Sequence, residues 1–430
     1  MPGIERRHFL MGSAATALAA TIVKASAMET AVLPAANDTA IATDRAYWAA
    51  VSDLYDVERS IANLENGYWG IMARPVLQAY LENTQRVNRQ NTVYARNAFG
   101  KDAEDVRNRV AGAVGAAPEE VALTRGATEA LQKLITGYNK LQPGDAVIYS
   151  DLDYDSMQYA MNALAGRRGV EVKTFAIPEP ATREAVLDAY RTVLEATPKA
   201  KLLLLTHLSH RTGLVMPIRE IADMARARGV DVVVDAAHSW GQMDFKVSDL
   251  GADFVGFNLH KWIGAPVGMG FLYIRKERLA DIDRDLADED WPKDDIRSRV
   301  HTGTTNFAAT LSVPAALDLH EMISSKRKQA RLTYLRNYWV KQARAIETVE
   351  ILTPDDDTMH AGITSFRIKG KISKDDNNAL MTALRDKHRV LTVRRTGVAK
   401  GQCLRVSPAL YTTEAELDRL VEGLSAISSS

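Results

Sequence analysis

Leu202-Leu203-Leu204-Leu205-Thr206-His207 and, a helix length further on, Val230-Asp231-Val232-Val233-Val234-Asp235-Ala236-Ala237-His238 are the stretches whose reading decides the fold. Each is a short run, apolar on both faces of an extended chain, that gives way to polar side chains where it emerges. Such runs are buried strands of a sheet covered on both sides. The same pattern extends outward to 146–149, 172–177, 254–257 and 269–274, mostly with helix-length segments between them. The expectation is an α/β fold with a mostly parallel sheet flanked by helices. Beyond it, 314–346 has helical period, 364–368 and 404–407 are strand-like, and 377–387 and 414–424 are helix-like. These predict a smaller α+β C-terminal domain. The division expected is an N-terminal segment, 28–80, that packs with the small domain, a large domain over 81–308, and the small domain over 309–430.

At 430 residues the chain exceeds the usual size of a single core, in keeping with two packed domains. Hydrophobic residues make up 46% and charged residues 25%, which fits a folded protein and excludes disordered or collagen-like classes. Lys plus Arg and Asp plus Glu both number 54, so no global field attracts phosphate backbones, and nucleic acid is not an expected partner. The single cysteine, Cys403, can form neither an internal disulfide nor a cysteine-rich zinc site.

Residues 1–27 read as an address. Arg6 and Arg7 precede a mildly apolar, Ala-rich run from Phe9 to Val23, followed by a small-x-small site at Ala25-Ser26-Ala27. A helix over that run is about 22 Å long, short of the roughly 30 Å hydrocarbon layer, so a stable membrane span is not expected. The order of features resembles a twin-arginine signal, which implies the twin-arginine export machinery as a partner and a periplasmic location.

Ligands of open parallel sheets sit beyond the carboxyl ends of the strands, and that is where this chain concentrates reactive groups. Tyr154 and Asp155 follow the first of these strands, His207 and His210 the third, Asp235 and His238 the fourth, and Asn258, His260 and Lys261 the fifth. Lys261 lies between an apolar strand and the turn Gly264-Ala265-Pro266, a place where burial can lower an ammonium pKa and leave an amine able to attack a carbonyl. Asp235 can hold a heterocyclic nitrogen protonated, and it can equally cap a helix. Thr124-Arg125-Gly126-Ala127-Thr128-Glu129 is a loop entering a helix, suited to a phosphate through free amides and the dipole, although Thr128 alone could be a plain cap. It matches neither nucleotide-binding glycine fingerprint. Four strand-end imidazoles, His207, His210, His238 and His260, keep a zinc hydrolase open as an alternative, but no His-Glu-x-x-His occurs and zinc leaves Lys261 unexplained. A non-catalytic binding protein on the same fold is the other alternative. The acidic stretch Asp281, Asp283, Asp285 reads as a solvated loop and Lys326, Arg327, Lys328, Arg331 as an exposed helix face.

Thr124 to Glu129, Val234-Asp235-Ala236-Ala237-His238-Ser239, His260-Lys261-Trp262, and Leu404-Arg405-Val406-Ser407 followed by Tyr411 together resemble the class V aminotransferase family of pyridoxal-phosphate enzymes. The resemblance is to its isopenicillin N epimerase-like branch on the type I aminotransferase fold, over about Asn63 to Leu424. It implies pyridoxal 5'-phosphate as cofactor, with 81–308 as its domain, Lys261 as the Schiff-base lysine and Asp235 as the partner of the pyridine nitrogen. His238 would lie beside the ring near its phenolic oxygen, and Tyr154 would stack on the ring. Gly126, Ala127, Thr128, Asn258 and His260 would surround the phosphate. Gly303-Thr304 matches a pair that reaches the phosphate from a neighbouring subunit, which implies a homodimer with shared sites. Arg405 would receive the substrate carboxylate, and Asn66 and Gly67 match a loop at the substrate entrance.

Two departures from the pattern stand out. His210 occupies a place near the ring where relatives often carry Asn or Ser, and Arg395-Thr396-Gly397 is followed by Val398-Ala399-Lys400 rather than by the reactive cysteine of cysteine desulfurases. The implied activity is chemistry at the α-carbon of an amino acid or a peptide-like metabolite, by an epimerase or an aminotransferase. Exported relatives that modify siderophore precursors add siderophore tailoring to that expectation.

Overall fold

The computed structural model describes residues 33–34 and 40–428. The signal read in 1–27 lies outside the described residues. After a two-residue strand, β1 (Ala62–Asn63), the chain forms β2 (Val121–Thr124), β3 (Ala146–Ser150), β4 (Glu171–Phe175), β5 (Ala200–Thr206), β6 (Asp231–Asp235), β7 (Phe254–Asn258) and β8 (Gly270–Ile274). These last seven make one sheet in the order β2-β8-β7-β6-β5-β3-β4. Strands β3 to β7 run parallel, and β8 runs antiparallel to both of its neighbours. The mostly parallel sheet is as expected.

The both-faces-apolar runs are explained by two separate cores. Leu203, Leu205, Val232, Val234 and Phe257 belong to one, while Leu202, Leu204, Val233 and Phe254 belong to the other. Alternate residues of each strand face opposite layers. Each such side chain contributes about 1.5–3 kcal/mol through burial. The run at 172–177 departs from expectation: β4 is an edge strand paired only with β3 and largely exposed. Strand β2 was not foreseen; its four residues are too few to show a period, and β8 recruits them across the sheet.

The C-terminal part carries β9 (Val349–Ile351), β10 (Thr364–Ile368), β11 (Val390–Leu391), β12 (Val393–Arg395) and β13 (Cys403–Val406). An antiparallel sheet in the order β12-β13-β10-β9 packs on helices through Trp339, Phe366, Leu384, Leu404 and Leu420. The segment expected as one helix over 314–346 is two, Phe307–Ile323 and Ser325–Ala343. Ser324 breaks it at φ 76°, where its hydroxyl accepts from Arg327 N at 3.3 Å and caps the second helix. The N-terminal segment joins this part: β1 pairs in parallel with β11, and Glu65 bridges to Ser407. That pairing lays Glu65, Asn66 and Gly67 beside β13 and its Arg405.

Candidate active site

A cavity of about 350 Å³ opens where the carboxyl ends of β6 and β7, the helix Ala127–Gly137 and β13 converge. Of the residues singled out in the sequence, Gly67, Gly126, Ala127, Thr128, Tyr154, His210, Asp235, His238, Asn258, His260, Lys261 and Arg405 all line it.

Lys261 Nζ lies 3.0 Å from His238 Nε2, and Trp262 Nε1 donates to His238 Nδ1 at 3.4 Å. A neutral imidazole that accepts at Nδ1 carries its proton on Nε2, facing the amine. Burial lowers the Lys261 pKa to about 7; Asp235 pulls it up, and Arg405 and Arg395 push it further down. The His238 pKa is held well below the usual imidazole value by burial and by Lys261. Asp235 is buried, and its pKa is raised by that burial against a 2.9 Å hydrogen bond from Ala237 N to Oδ1 and the pull of Lys261. With Oδ1 engaged, Oδ2 is left to accept a proton-bearing partner.

The phosphate-type loop is stitched to the end of β7. Asn258 Oδ1 accepts from Ala127 N at 2.7 Å, Thr124 Oγ1 donates to Gly126 O at 2.9 Å, and His260 Nδ1 donates to Met269 O at 2.9 Å. Gly126 has φ 145°, and a Cβ there would stand 3.1 Å from Asn258 Oδ1, so only glycine allows this approach. The exposed Thr128 faces the cavity at the start of the helix, where the dipole favours an anion.

At the opposite end Arg405, 1% exposed, donates from Nη1 to His210 O at 2.9 Å and from Nη2 to both Glu65 oxygens at 2.6 and 2.8 Å. The Tyr154 ring meets His210 edge-on, with centroids 5.3 Å apart, and burial followed by Arg395 drives the His210 pKa well down. Asn66 does not line this cavity. Its amide donates to Asn63 O and Ser407 O and accepts from Tyr411 Oη at 2.8 Å, which makes it a brace beside a smaller void of about 40 Å³. Gly303 and Thr304 are exposed, outside the cavity of their own chain.

Several contributors were not foreseen. Glu65 and Arg395 join the carboxylate end, Tyr68 and Trp69 form an exposed aromatic rim, and Gly70 lies so close to Lys261 O that a Cβ would stand 2.1 Å from it. The run of bases is not an exposed face: Lys328 and Arg331 are buried. Lys328 Nζ donates to Trp262 O at 2.6 Å, buttressing the segment that carries Lys261, and burial lowers its pKa to about 7. Nor is the acidic stretch simply solvated, since Asp281 pairs with Lys140 and Arg278 and Asp285 with Lys133.

The four strand-end histidines do not converge on a metal. His207 packs against Phe245, His238 meets Lys261, and His260 meets a carbonyl. Among the described residues the group with metal-compatible spacing is Asp288, Asp290 and His301, none of them in this cavity.

An amine of pKa about 7, a buried carboxylate with a spare oxygen and a glycine-edged helix N-terminus form a donor set that fits an aldehyde on a protonatable ring bearing a phosphate. The chain belongs to the aminotransferase class-V family, whose model matches residues 72–420. It is 28% identical over 409 residues to isopenicillin N epimerase of Amycolatopsis lactamdurans, covering 89% of this chain and 98% of that one. It is 26% identical over 339 residues to a cysteine desulfurase of Haloferax volcanii, covering 75% of this chain and 78% of that one. Among solved structures the fold is similar, with a TM-score of 0.74 and 22% identity, to a lysine-to-alanine mutant of C-DES with glycine covalently linked to its PLP cofactor, over 85% of this chain and 97% of that one.

The pKa of Lys261 predicts how apoprotein takes up cofactor. Only the neutral amine attacks the aldehyde, and that form is lost as pH falls through about 7. The rate of reconstitution with pyridoxal phosphate should rise about tenfold per unit below pH 7 and level off above about 8, as followed by absorbance. A rate independent of pH between 5.5 and 8.5 would contradict this.

Proposed function

We propose that this enzyme removes and returns the proton at the α-carbon of an amino acid or a peptide-like metabolite, the chemistry of an isopenicillin N epimerase-like enzyme. The cofactor is pyridoxal 5'-phosphate, which supplies an electron sink for the bond broken at the α-carbon. The observation that carries the reading is the Lys261 Nζ to His238 Nε2 contact of 3.0 Å: two proton-carrying groups of depressed pKa side by side in one cavity. Lys261 Nζ takes the α-proton as general base, and His238, with its Nε2–H facing that amine, fixes its position. Asp235 keeps a proton on the ring nitrogen, Gly126 to Thr128 with Asn258 and His260 hold the phosphate, and Tyr154 covers the ring. Arg405 orients the substrate carboxylate. The aromatic rim of Tyr68 and Trp69 suits a substrate with an apolar extension, such as a siderophore precursor.

The rest of the proposal concerns assembly and address. A homodimer would bring Gly303 and Thr304, exposed on their own chain, to the second subunit's phosphate site. Twin-arginine export to the periplasm would carry the enzyme already folded with its cofactor. Sulfur transfer is disfavoured: Cys403 is fully buried, 3.7 Å from Arg211 O, and burial pushes its thiol up to about 11.

The experiment is proton exchange in deuterated water across a panel of amino acids and amino-acyl compounds. Label entering the α-position together with inversion is expected, without stoichiometric keto acid. Keto acid formed in step with substrate loss would replace epimerisation by amino-group transfer, and no exchange with any of the panel would contradict α-carbon chemistry.

A further inference from the structure

The carboxylate end of the cavity holds a second guanidinium. Arg395 lines it beside Arg405, and its Nη2 donates to Glu65 Oε1 at 3.3 Å, the same oxygen that accepts from Arg405 Nη2 at 2.6 Å. Two cations and one carboxylate leave a single net positive charge. The Nε of each arginine is buried without a hydrogen-bond partner, and both residues line the cavity that an anion would enter.

Nothing else in the lining supplies a second positive charge. His210 and His238 are kept neutral by burial, Arg125 is paired with Glu129 at 2.7 Å, and Lys261 is committed to the cofactor. Asp235 adds a negative charge nearby.

We propose that Glu65 sets the charge this pocket accepts: by neutralising one of the two guanidiniums it restricts the substrate to an amine bearing a single carboxylate and disfavours a dicarboxylic amino acid. The inference rests on the reading of the chain as a pyridoxal-phosphate enzyme acting on amino acids. Glu65 acts through Arg395 and Arg405 and is a positioning residue, since the arginines meet the substrate.

The test is a spectroscopic titration of the holoenzyme with alanine and with glutamate, reading dissociation constants from the change in the cofactor band rather than from turnover. Wild type should bind alanine in preference. Glu65→Gln should shift the ratio toward glutamate by about tenfold or more, the effect of one unpaired charge at short range. Glu65→Asp keeps the charge and should keep the wild-type preference, and Arg395→Gln should weaken alanine about tenfold. An unchanged ratio in Glu65→Gln, or equal weakening of both ligands as for a mere brace of Arg405, would overturn the proposal while leaving the enzyme reading intact. A wild-type protein that forms no cofactor band would overturn both.

Discussion

Lys261→Ala is expected to lose the near-ultraviolet to visible band that borohydride abolishes in the wild type, and to lose turnover by about 10⁴-fold or more. The residue combines two roles, each with its own cost. Under the proposed function it would hold the cofactor through an amine of pKa about 7 and would act as general base, a contribution of about 10²–10⁴ by itself. The fold should survive, because among the described residues Lys261 takes part in no ion pair or strand pairing, and its side chain hydrogen-bonds to His238 alone. A circular dichroism spectrum like that of the wild type, beside the lost band, separates the two cases. Turnover within tenfold of wild type would remove Lys261 from the chemistry.

Asp235→Asn is expected to keep the cofactor and lose activity by about 10²–10³-fold, the scale of removing one preorganised electrostatic contact. The side chain is 5% exposed, and its pKa is raised by burial, so the carboxylate lies in an environment that rewards a positively charged partner. Under the proposed function a proton-bearing ring nitrogen would be that partner. Asparagine preserves the size and can still accept from Ala237 N, now 2.9 Å from Oδ1, but it cannot hold a proton on the ring. Steady-state kinetics should therefore show kcat reduced with cofactor affinity changed far less. Equal losses in kcat and in cofactor retention would make Asp235 a structural anchor only.

The legible part of this site was the part written next to strands. Lys261, Asp235, Asn258 and His238 follow runs such as Val232-Val233-Val234, whose two-sided burial marks them as central strands, and central strands end at the ligand. Gly126 to Thr128 were legible for a related reason, since a glycine before a helix start advertises an anion seat. Glu65 and Arg395 were not, because they come together through long-range pairing of β1 with β11 and of β12 with β13. No spacing in the chain signals that two arginines share a carboxylate. The contact of His238 with Lys261 depends on side-chain reach across two strand ends, which periodicity does not encode.

Lys328 shows the opposite error. A run of Lys and Arg on a helix reads as solvent-facing, yet Lys328 turns inward to a carbonyl, where a hydrogen bond offsets part of the cost of burial. The missed break at Ser324 has a similar origin: one hydroxyl caps a new helix, outweighing a continuous apolar period. Strand β4 was expected to be buried because its apolar residues suggested it, but Glu171, Lys173 and Thr174 share its five residues and it stays largely exposed, whereas β2 at the opposite edge is buried.

The central claim is that the amine at position 261 is the one that holds the cofactor. Holoenzyme reduced with borohydride, digested and analysed by mass spectrometry should show the phosphopyridoxyl group on the peptide containing His260-Lys261-Trp262, with the adduct on the lysine. An adduct on any other residue, or no adduct in protein that carries the band, would contradict the account.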